Sequence, residues 1–308
     1  MHVLVTGGGG MVGRAMAATA PPDLRATFAA SADGDLRDAD ACRRLFERVQ
    51  PTHVVHLAAR VGGVLENTRR VADFFRDNLL INVHVLEAAR QAGVERVVSL
   101  LSSCVYPDGA PLPLRERDLH AGEPHPSNFG YAYAKRMLEV QSRAYAQQYG
   151  LNCVCIIPNN LYGPHDNFDL ETGHVIPAMI RKIHAAAAQG ATAVLWGDGA
   201  PLREFTYAPD LGRALWWAVR SYDGSPLNVG TAEEISIRQA AETICRLLSY
   251  DPTKLVWDTS RPSGQHRKPT DTSRFRELSG LPMTPFAAGA AATVKWYLEH
   301  FPHVRGMT

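Results

Sequence analysis

Gly7, Gly10 and Gly13 form a G-x-x-G-x-x-G pattern between a short apolar run, His2 to Val5, and a stretch of small residues, Met11 to Ala20. Glycine permits a tight turn and lets the backbone approach a ligand closely. A helix that starts at such a turn presents unpaired N–H groups and the positive end of its dipole to an anion. The pattern is weak in isolation and strong directly after a first strand, where it marks a dinucleotide-binding turn.

The segments that follow alternate between strand and helix. Arg25 to Ala29, His53 to Leu57, Arg96 to Leu101 and Leu151 to Ile157 read as short apolar strands. Between them, Ala39 to Gln50, Asp73 to Gln91 and Tyr131 to Tyr149 have helical spacing, the last two stopped by Gly93 and Gly150. Short continuous apolar strands alternating with helices imply a parallel sheet covered on both faces. The expected fold class is α/β, a doubly wound Rossmann sheet with a smaller C-terminal substrate-binding domain. Residues 1–160 form the nucleotide-binding part and 161–308 the remainder. Glu204 to Tyr207 with the helix Pro209 to Arg220 is expected to rejoin the first sheet, over about 204–228.

Composition narrows the function classes. A net charge of +1 over 308 residues offers no basic surplus for nucleic acid and no acidic tail for a basic partner. No apolar run reaches the roughly 20 residues that span a bilayer. The N-terminus lacks the charged leader of a signal peptide, so a cytoplasmic location is expected. Cys42, Cys104, Cys153, Cys155 and Cys245 have neither a disulfide framework nor metal-ligand spacing.

The end of the second strand speaks to the cofactor. It reads Thr27-Phe28-Ala29-Ala30-Ser31, without the acid that binds a ribose diol in NAD sites. An acid there would repel a 2′-phosphate, so its absence favours NADP(H). Asp33 lies close, and Arg14 is either a source of positive charge or a solvated surface residue. Asp35 and Leu36 follow at a distance suited to an adenine ring, with Asp35 as acceptor for its amine. Leu57, Ala58 and Ala59 put small residues where the cofactor passes the third strand.

Tyr131 and Lys135, four residues apart on a helix, face one side. An ammonium beside a phenol lowers the phenol's pKa, which suits proton exchange with an alcohol or ketone. Ser102, at the end of the fourth strand, can hydrogen-bond the same carbonyl oxygen. Ser, Tyr and Lys in this order after a glycine-rich turn point to hydride transfer at an alcohol or ketone. Cys104, two residues beyond Ser102, reads equally as core packing or as a catalytic group.

These motifs resemble the extended short-chain dehydrogenase/reductase family and, within it, the GDP-L-fucose synthase group. The resemblance runs through most of the chain. It includes Ser102-Ser103-Cys104-Val105-Tyr106-Pro107, Asn128 to Met137 around Tyr131 and Lys135, Gly163-Pro164-His165-Asp166-Asn167-Phe168, His174-Val175-Ile176-Pro177, and Trp196-Gly197 through Arg203-Glu204-Phe205. It implies epimerisation at C3 and C5 of a 4-keto-6-deoxy GDP-sugar and reduction at C4. By resemblance, Cys104 is the base and His174 the acid on the opposite face of the ring. Cofactor contacts are implied for Gly7, Gly10, Met11, Val12, Gly13, Asp35, Leu36, Leu57, Ala58, Ala59, Lys135, Pro158, Asn160, Leu161 and His174. GDP-sugar contacts are implied for Lys182, Trp196, Arg203 and Asp271, and no metal is expected. The alternatives are core packing for Trp196 and a structural ion pair with a nearby acid for Arg203.

The sequence departs from the pattern at three positions. Gly9 and Ser31 stand where many bacterial relatives have arginines for the 2′-phosphate, and Lys182 stands where many have arginine. A homodimer packed through the two long helices is expected by analogy with the superfamily. The rival readings are a sister epimerase–reductase for a colitose or deoxyheptose precursor and a non-enzymatic NADP sensor. A sensor usually lacks the tyrosine or lysine present here. A dehydratase would need acids where Ser103, Cys104 and Val105 stand.

Overall fold

The computed structural model describes residues 1–224, 226–261 and 265–307. In chain order the first half contains β1 (His2–Thr6), α1 (Met11–Ala18), β2 (Arg25–Ala29), α2 (Ala39–Val49), β3 (His53–His56), α3 (Val64–Arg69), α4 (Val71–Gln91), β4 (Arg96–Leu100), α5 (Phe129–Tyr149) and β5 (Asn152–Pro158). The second half contains β6 (Asn160–Tyr162), α6 (Val175–Gln189), β7 (Ala193–Trp196), β8 (Leu202–Tyr207), α7 (Ala208–Ser221), β9 (Leu227–Val229), β10 (Glu234–Ser236), α8 (Ile237–Leu247), β11 (Leu255–Asp258), α9 (Ser273–Ser279) and α10 (Phe286–His300).

Six parallel strands form the main sheet in the order β2-β1-β3-β4-β5-β9. Neighbouring residues along each strand feed opposite faces. Leu4, Val54 and Val97 pack with α2, α4 and α5 on one side. Val3, Val5, Val55 and Val98 pack with α1 and α7 on the other. This two-sided burial explains why the strands read as continuous apolar runs rather than alternating ones. The chain leaves β1 for β2 on one side and returns as β3 on the other, so the strand order reverses between β1 and β3. Ligands of open α/β sheets sit at the carboxyl ends of the strands at such a point.

A second core gathers Ile176, Met179, Ile180 and Ile183 of α6 with α8, α10 and the short strands around them. The segment near 204–228 divides between the two layers. Its helix, α7, packs against α1, and β9 adds the sixth strand to the main sheet. Its strand, β8, instead pairs with β6 and β10 in a separate three-stranded sheet. β8 has Phe205 in the second core, so it follows that core rather than the first sheet. Strand β6, directly after Pro158, turns the chain from one layer into the other.

Candidate active site

A cavity of about 1110 Å³ runs along the carboxyl ends of β1 and β3 and under α6. Its first wall is the glycine turn. Gly7 has φ +73°, and a β-carbon there would lie 2.8 Å from the Ala58 amide nitrogen. A β-carbon on Gly13 would lie 2.5 Å from the Gly8 Cα. Gly10 caps α1 without a side-chain hydrogen bond, so the helix N-terminus remains open toward the cavity. A cradle with no room for side chains beside a bare helix end fits a dinucleotide pyrophosphate. Met11, Val12, Asp35, Leu36, Leu57, Ala58, Ala59, Pro158, Asn160 and Leu161 line the same cavity.

A cluster of charges closes the end near β2. Arg37 donates to both oxygens of Asp35, with Nη2 2.7 Å from Oδ2. The guanidinium holds the Asp35 carboxyl down to about 2. Asp35 is engaged by Arg37 and still faces the cavity. Arg37 also reaches Asp77 at 3.3 Å, and Arg60 and Arg76 each lie 2.8 Å from that carboxylate. Burial opposes the charge on Asp77, and the arginines outweigh it, leaving its pKa below the ordinary carboxylate value.

A buried relay ties the glycine turn to α5. Ala58 N–H donates to Thr6 Oγ1 at 3.3 Å, and Thr6 Oγ1 lies 2.9 Å from His56 Nδ1. His56 Nε2 lies 3.1 Å from Asn82 Oδ1, and Asn82 Nδ2 donates to the Ala134 carbonyl of α5 at 3.1 Å. Asn82 Oδ1 can only accept, so the network assigns the proton to Nε2 and makes Nδ1 the acceptor for Thr6. Burial pushes His56 down to about 3, which keeps the ring neutral.

Ser102, Tyr131, Lys135 and His174 line the far end of the cavity. Lys135 Nζ donates to the Leu100 carbonyl at 2.8 Å, which pins the helix to the end of β4. Burial pulls its ammonium down to about 8. Tyr131 moves opposite to the direction expected from its lysine neighbour. Burial pushes the phenol well above its ordinary value, and the nearby Cys104 adds to that. Desolvation of the phenol outweighs any help from the neighbouring ammonium.

Cys104 sits in the turn after β4, and its N–H points to Ser102 Oγ at 3.4 Å. It is half-buried, and burial raises its thiol pKa while the charge of Lys268 is the first influence pulling it back. His174 stands at the N-cap of α6 with half its side chain exposed to the cleft. Its Nδ1 lies 3.7 Å from Asp166 Oδ1. The Asp166 carboxylate raises the imidazole pKa against the effect of burial.

The residues implied for the GDP-sugar divide into two places. Trp196 is 39% exposed, so it is no core residue. Lys182 Nζ lies 5.1 Å and the Arg261 guanidinium 5.4 Å from its ring. Arg203 donates to the carbonyls of Leu202 at 2.7 Å and Gln265 at 2.6 Å, so it holds backbone rather than a carboxylate. Asp271 lies elsewhere, lining a smaller cavity of about 360 Å³ with Arg115, Arg117 and Arg274. Its Oδ1 accepts from Ser273 at the start of α9.

Residues 3–230 match the NAD dependent epimerase/dehydratase family. The probable GDP-L-fucose synthase of Drosophila melanogaster is 40% identical over 318 residues, spanning 98% of this chain and 99% of that one. The chain belongs to the GDP-L-fucose synthase family. Its relative in Escherichia coli (strain K12) is 35% identical, with 99% of each chain covered. A solved GDP-L-fucose synthetase from Naegleria fowleri, bound to NADP, superimposes with a TM-score of 0.93 at 40% identity, covering 99% of this chain and 94% of that one.

Sequence reasoning about this family member missed the roles of several residues. Arg37, Arg60, Asp166 and Arg305 all line the large cavity. Arg37 carried a local signal, a cation two residues from Asp35. Asp166 stood inside a recognised motif with no role attached. Lys268 gave no signal, because its partner Cys104 lies 164 positions earlier and only folding joins them.

Proposed function

We infer that the protein converts GDP-4-keto-6-deoxy-D-mannose to GDP-L-fucose with NADPH, inverting C3 and C5 and then reducing the C4 ketone. The observation that carries this reading is a single cavity. One end is a glycine cradle with no room for a β-carbon, and the other holds Ser102, Tyr131, Lys135 and His174.

Gly7, Gly10, Gly13 and Ala58 hold the dinucleotide, whose nicotinamide supplies the reducing equivalent at C4. Ser102 and Tyr131 bind the C4 oxygen. Their hydrogen bonds stabilise the enolate that forms when an α proton leaves. Cys104 takes that proton as a thiolate, and His174 returns one to the opposite face from its protonated ring. Each inversion leaves a thiol and a neutral imidazole, which exchange protons with solvent and so reset. At the reduction step Tyr131 gives its proton to the C4 oxygen, and Lys135 at the base of the same helix favours the phenolate that remains. Trp196, Lys182 and Arg203 lie outside this centre and hold the GDP part through a flat ring and positive charge.

Two further features complete the reading. The protein acts in the cytoplasm, consistent with five free cysteines and, among the described residues, no helix long and apolar enough to cross a membrane. It assembles as a homodimer through α4 and α5, where Phe75, Leu80, Val83 and Val140 are exposed. Sedimentation at twice the mass of one chain supports that assembly, and a monomer refutes it.

The deciding experiment mixes protein, NADPH and GDP-4-keto-6-deoxy-D-mannose in deuterated water. Consumption of NADPH with deuterium at C3 and C5 of GDP-L-fucose is expected. Consumption without deuterium would leave a plain ketoreductase and remove Cys104 and His174 from the chemistry.

A further inference from the structure

Asp166 is a buried carboxylate for which the reaction outlined above gives no use. Its side chain is 5% exposed, yet it lines the large cavity. One oxygen, Oδ1, accepts from the Asn167 N–H at 2.7 Å. The other, Oδ2, finds no hydrogen-bond partner among the described residues. An unpaired buried carboxylate oxygen is costly, so its persistence calls for a cationic or donor partner. His174 stands beside the same carboxylate, its Nδ1 3.7 Å from Oδ1.

The loop between them is built to hold both groups still. His165, just before the acid, has φ +65°, in the left-handed region. Phe168 is fully buried, its N–H donates to the Arg305 carbonyl at 2.9 Å, and its own carbonyl accepts from Arg181 at 3.1 Å. Asp169 Oδ1 accepts from the N–H groups of Glu171 and Thr172. Gly173 has no room for a β-carbon, which would fall 2.3 Å from the Asp169 carbonyl oxygen. His174 follows at once as the N-cap of α6. Acid and imidazole are thus the two ends of one stiff loop.

We propose that Asp166 is the positioning residue for His174: its carboxylate fixes the ring by accepting from Nδ1–H, leaving Nε2 as the atom that faces the sugar. This rests on the reading of His174 as the acid of epimerisation. A contact of 3.7 Å is longer than a formed hydrogen bond, and catalytic contacts commonly tighten only when substrate binds. In the transfer, the proton on Nε2 passes to the substrate carbon, whose electron pair becomes the new C–H bond. The imidazole is left neutral, and Asp166 remains a carboxylate throughout. The charged groups facing the ring are Asp166, which favours the imidazolium, and Arg305 from the C-terminal segment, which opposes it. Burial also opposes it, so removing the carboxylate leaves only influences that deprotonate the ring.

The test follows the His174 ring by NMR titration in the full-length protein without ligands, comparing wild type with Asp166→Asn and Asp166→Glu. Asp166→Asn is expected to lower the midpoint by about one pH unit, with Asp166→Glu restoring most of it. An unchanged midpoint in a folded Asp166→Asn protein overturns the pairing. Solvent deuterium incorporation into substrate provides the second readout. Asp166→Asn should slow it about tenfold, move its basic limb to lower pH, and add nothing in a His174→Asn background. An additive loss there would overturn positioning through His174. Should His174→Asn alone leave incorporation untouched, the assignment of His174 as acid fails, while the titration still reports on the pairing. If Asp166→Asn does not fold, Asp166→Ser, which also removes the carboxylate, carries both measurements.

Discussion

The backbone of Gly7 runs so close to Ala58 that a β-carbon on residue 7 would sit 2.8 Å from the Ala58 amide nitrogen. This approach joins the carboxyl ends of β1 and β3 and sets the floor of the cofactor cavity. Gly7→Ala therefore faces both a clash with backbone and a φ of +73°. The strained conformation alone costs about 1–2 kcal/mol. Weaker NADPH binding by at least about tenfold and a lower melting temperature are expected, read by fluorescence titration and thermal melts. Unaltered NADPH affinity would mean that the turn is not the cofactor cradle.

Lys135 carries a stability penalty that depends on pH. Its pKa falls from 10.5 to about 8 on burial. The folded protein therefore binds fewer protons than the unfolded chain between these values, and stability decreases as pH falls through that window. Below about pH 8 the penalty is complete. Lys135→Met should lose reductase activity by about 10²-fold or more, yet melt at the same or a higher temperature at pH 7. The advantage should shrink between pH 8 and 10.5. A destabilised variant at pH 7 would show that the Leu100 hydrogen bond outweighs desolvation.

Lys268 is the leading cationic influence on the Cys104 thiol. Lys268→Met should raise that thiol's pKa and slow its alkylation by iodoacetamide at pH 8 about fivefold or more. Lys268→Arg should keep most of the rate. The assay contains no substrate, so it reads the thiol alone. Equal alkylation rates in all three proteins would remove Lys268 from the activation of Cys104.

Arg37 lines the cavity beyond the end of β2, between Asp35 and Asp77. Arg37→Ala removes positive charge where a 2′-phosphate would sit and releases Asp35. The ratio of kcat/KM for NADPH over NADH should fall about tenfold. A ratio that stays constant would place recognition of the 2′-phosphate elsewhere.

Tyr131→Phe and Cys104→Ser should separate the half-reactions. Tyr131→Phe should abolish NADPH consumption by about 10²-fold or more, while deuterium exchange into substrate persists. Cys104→Ser should lose exchange and leave NADPH affinity unchanged. Full reductase activity in Tyr131→Phe would reassign the proton donor.

The local signals were legible where chemistry and geometry lie close in sequence. The glycine spacing marked the turn, and the four-residue interval of Tyr131 and Lys135 gave one helical face. The continuous apolar character of β3, β4 and β5 gave two-sided burial. The parts that stayed hidden depend on long-range pairing. β8 has strand character, yet its partners are β6 and β10, a choice set by which core receives Phe205. The direction of the Tyr131 shift was hidden as well, since an i,i+4 spacing reports proximity to Lys135 and says nothing about desolvation.

By itself, then, the sequence determined the glycine cradle, the Ser102, Tyr131 and Lys135 set, and an α/β sheet, because each depends on backbone permissiveness or periodicity within one short segment. The tertiary structure alone decided the His174–Asp166 contact across a stiff loop, the Lys268–Cys104 neighbourhood, and the engagement of Asp77 by Arg37 and Arg60. The physical reason is range: a dihedral preference is a property of a residue, whereas a pKa or an ion pair is a property of whatever folding brings within a few ångströms.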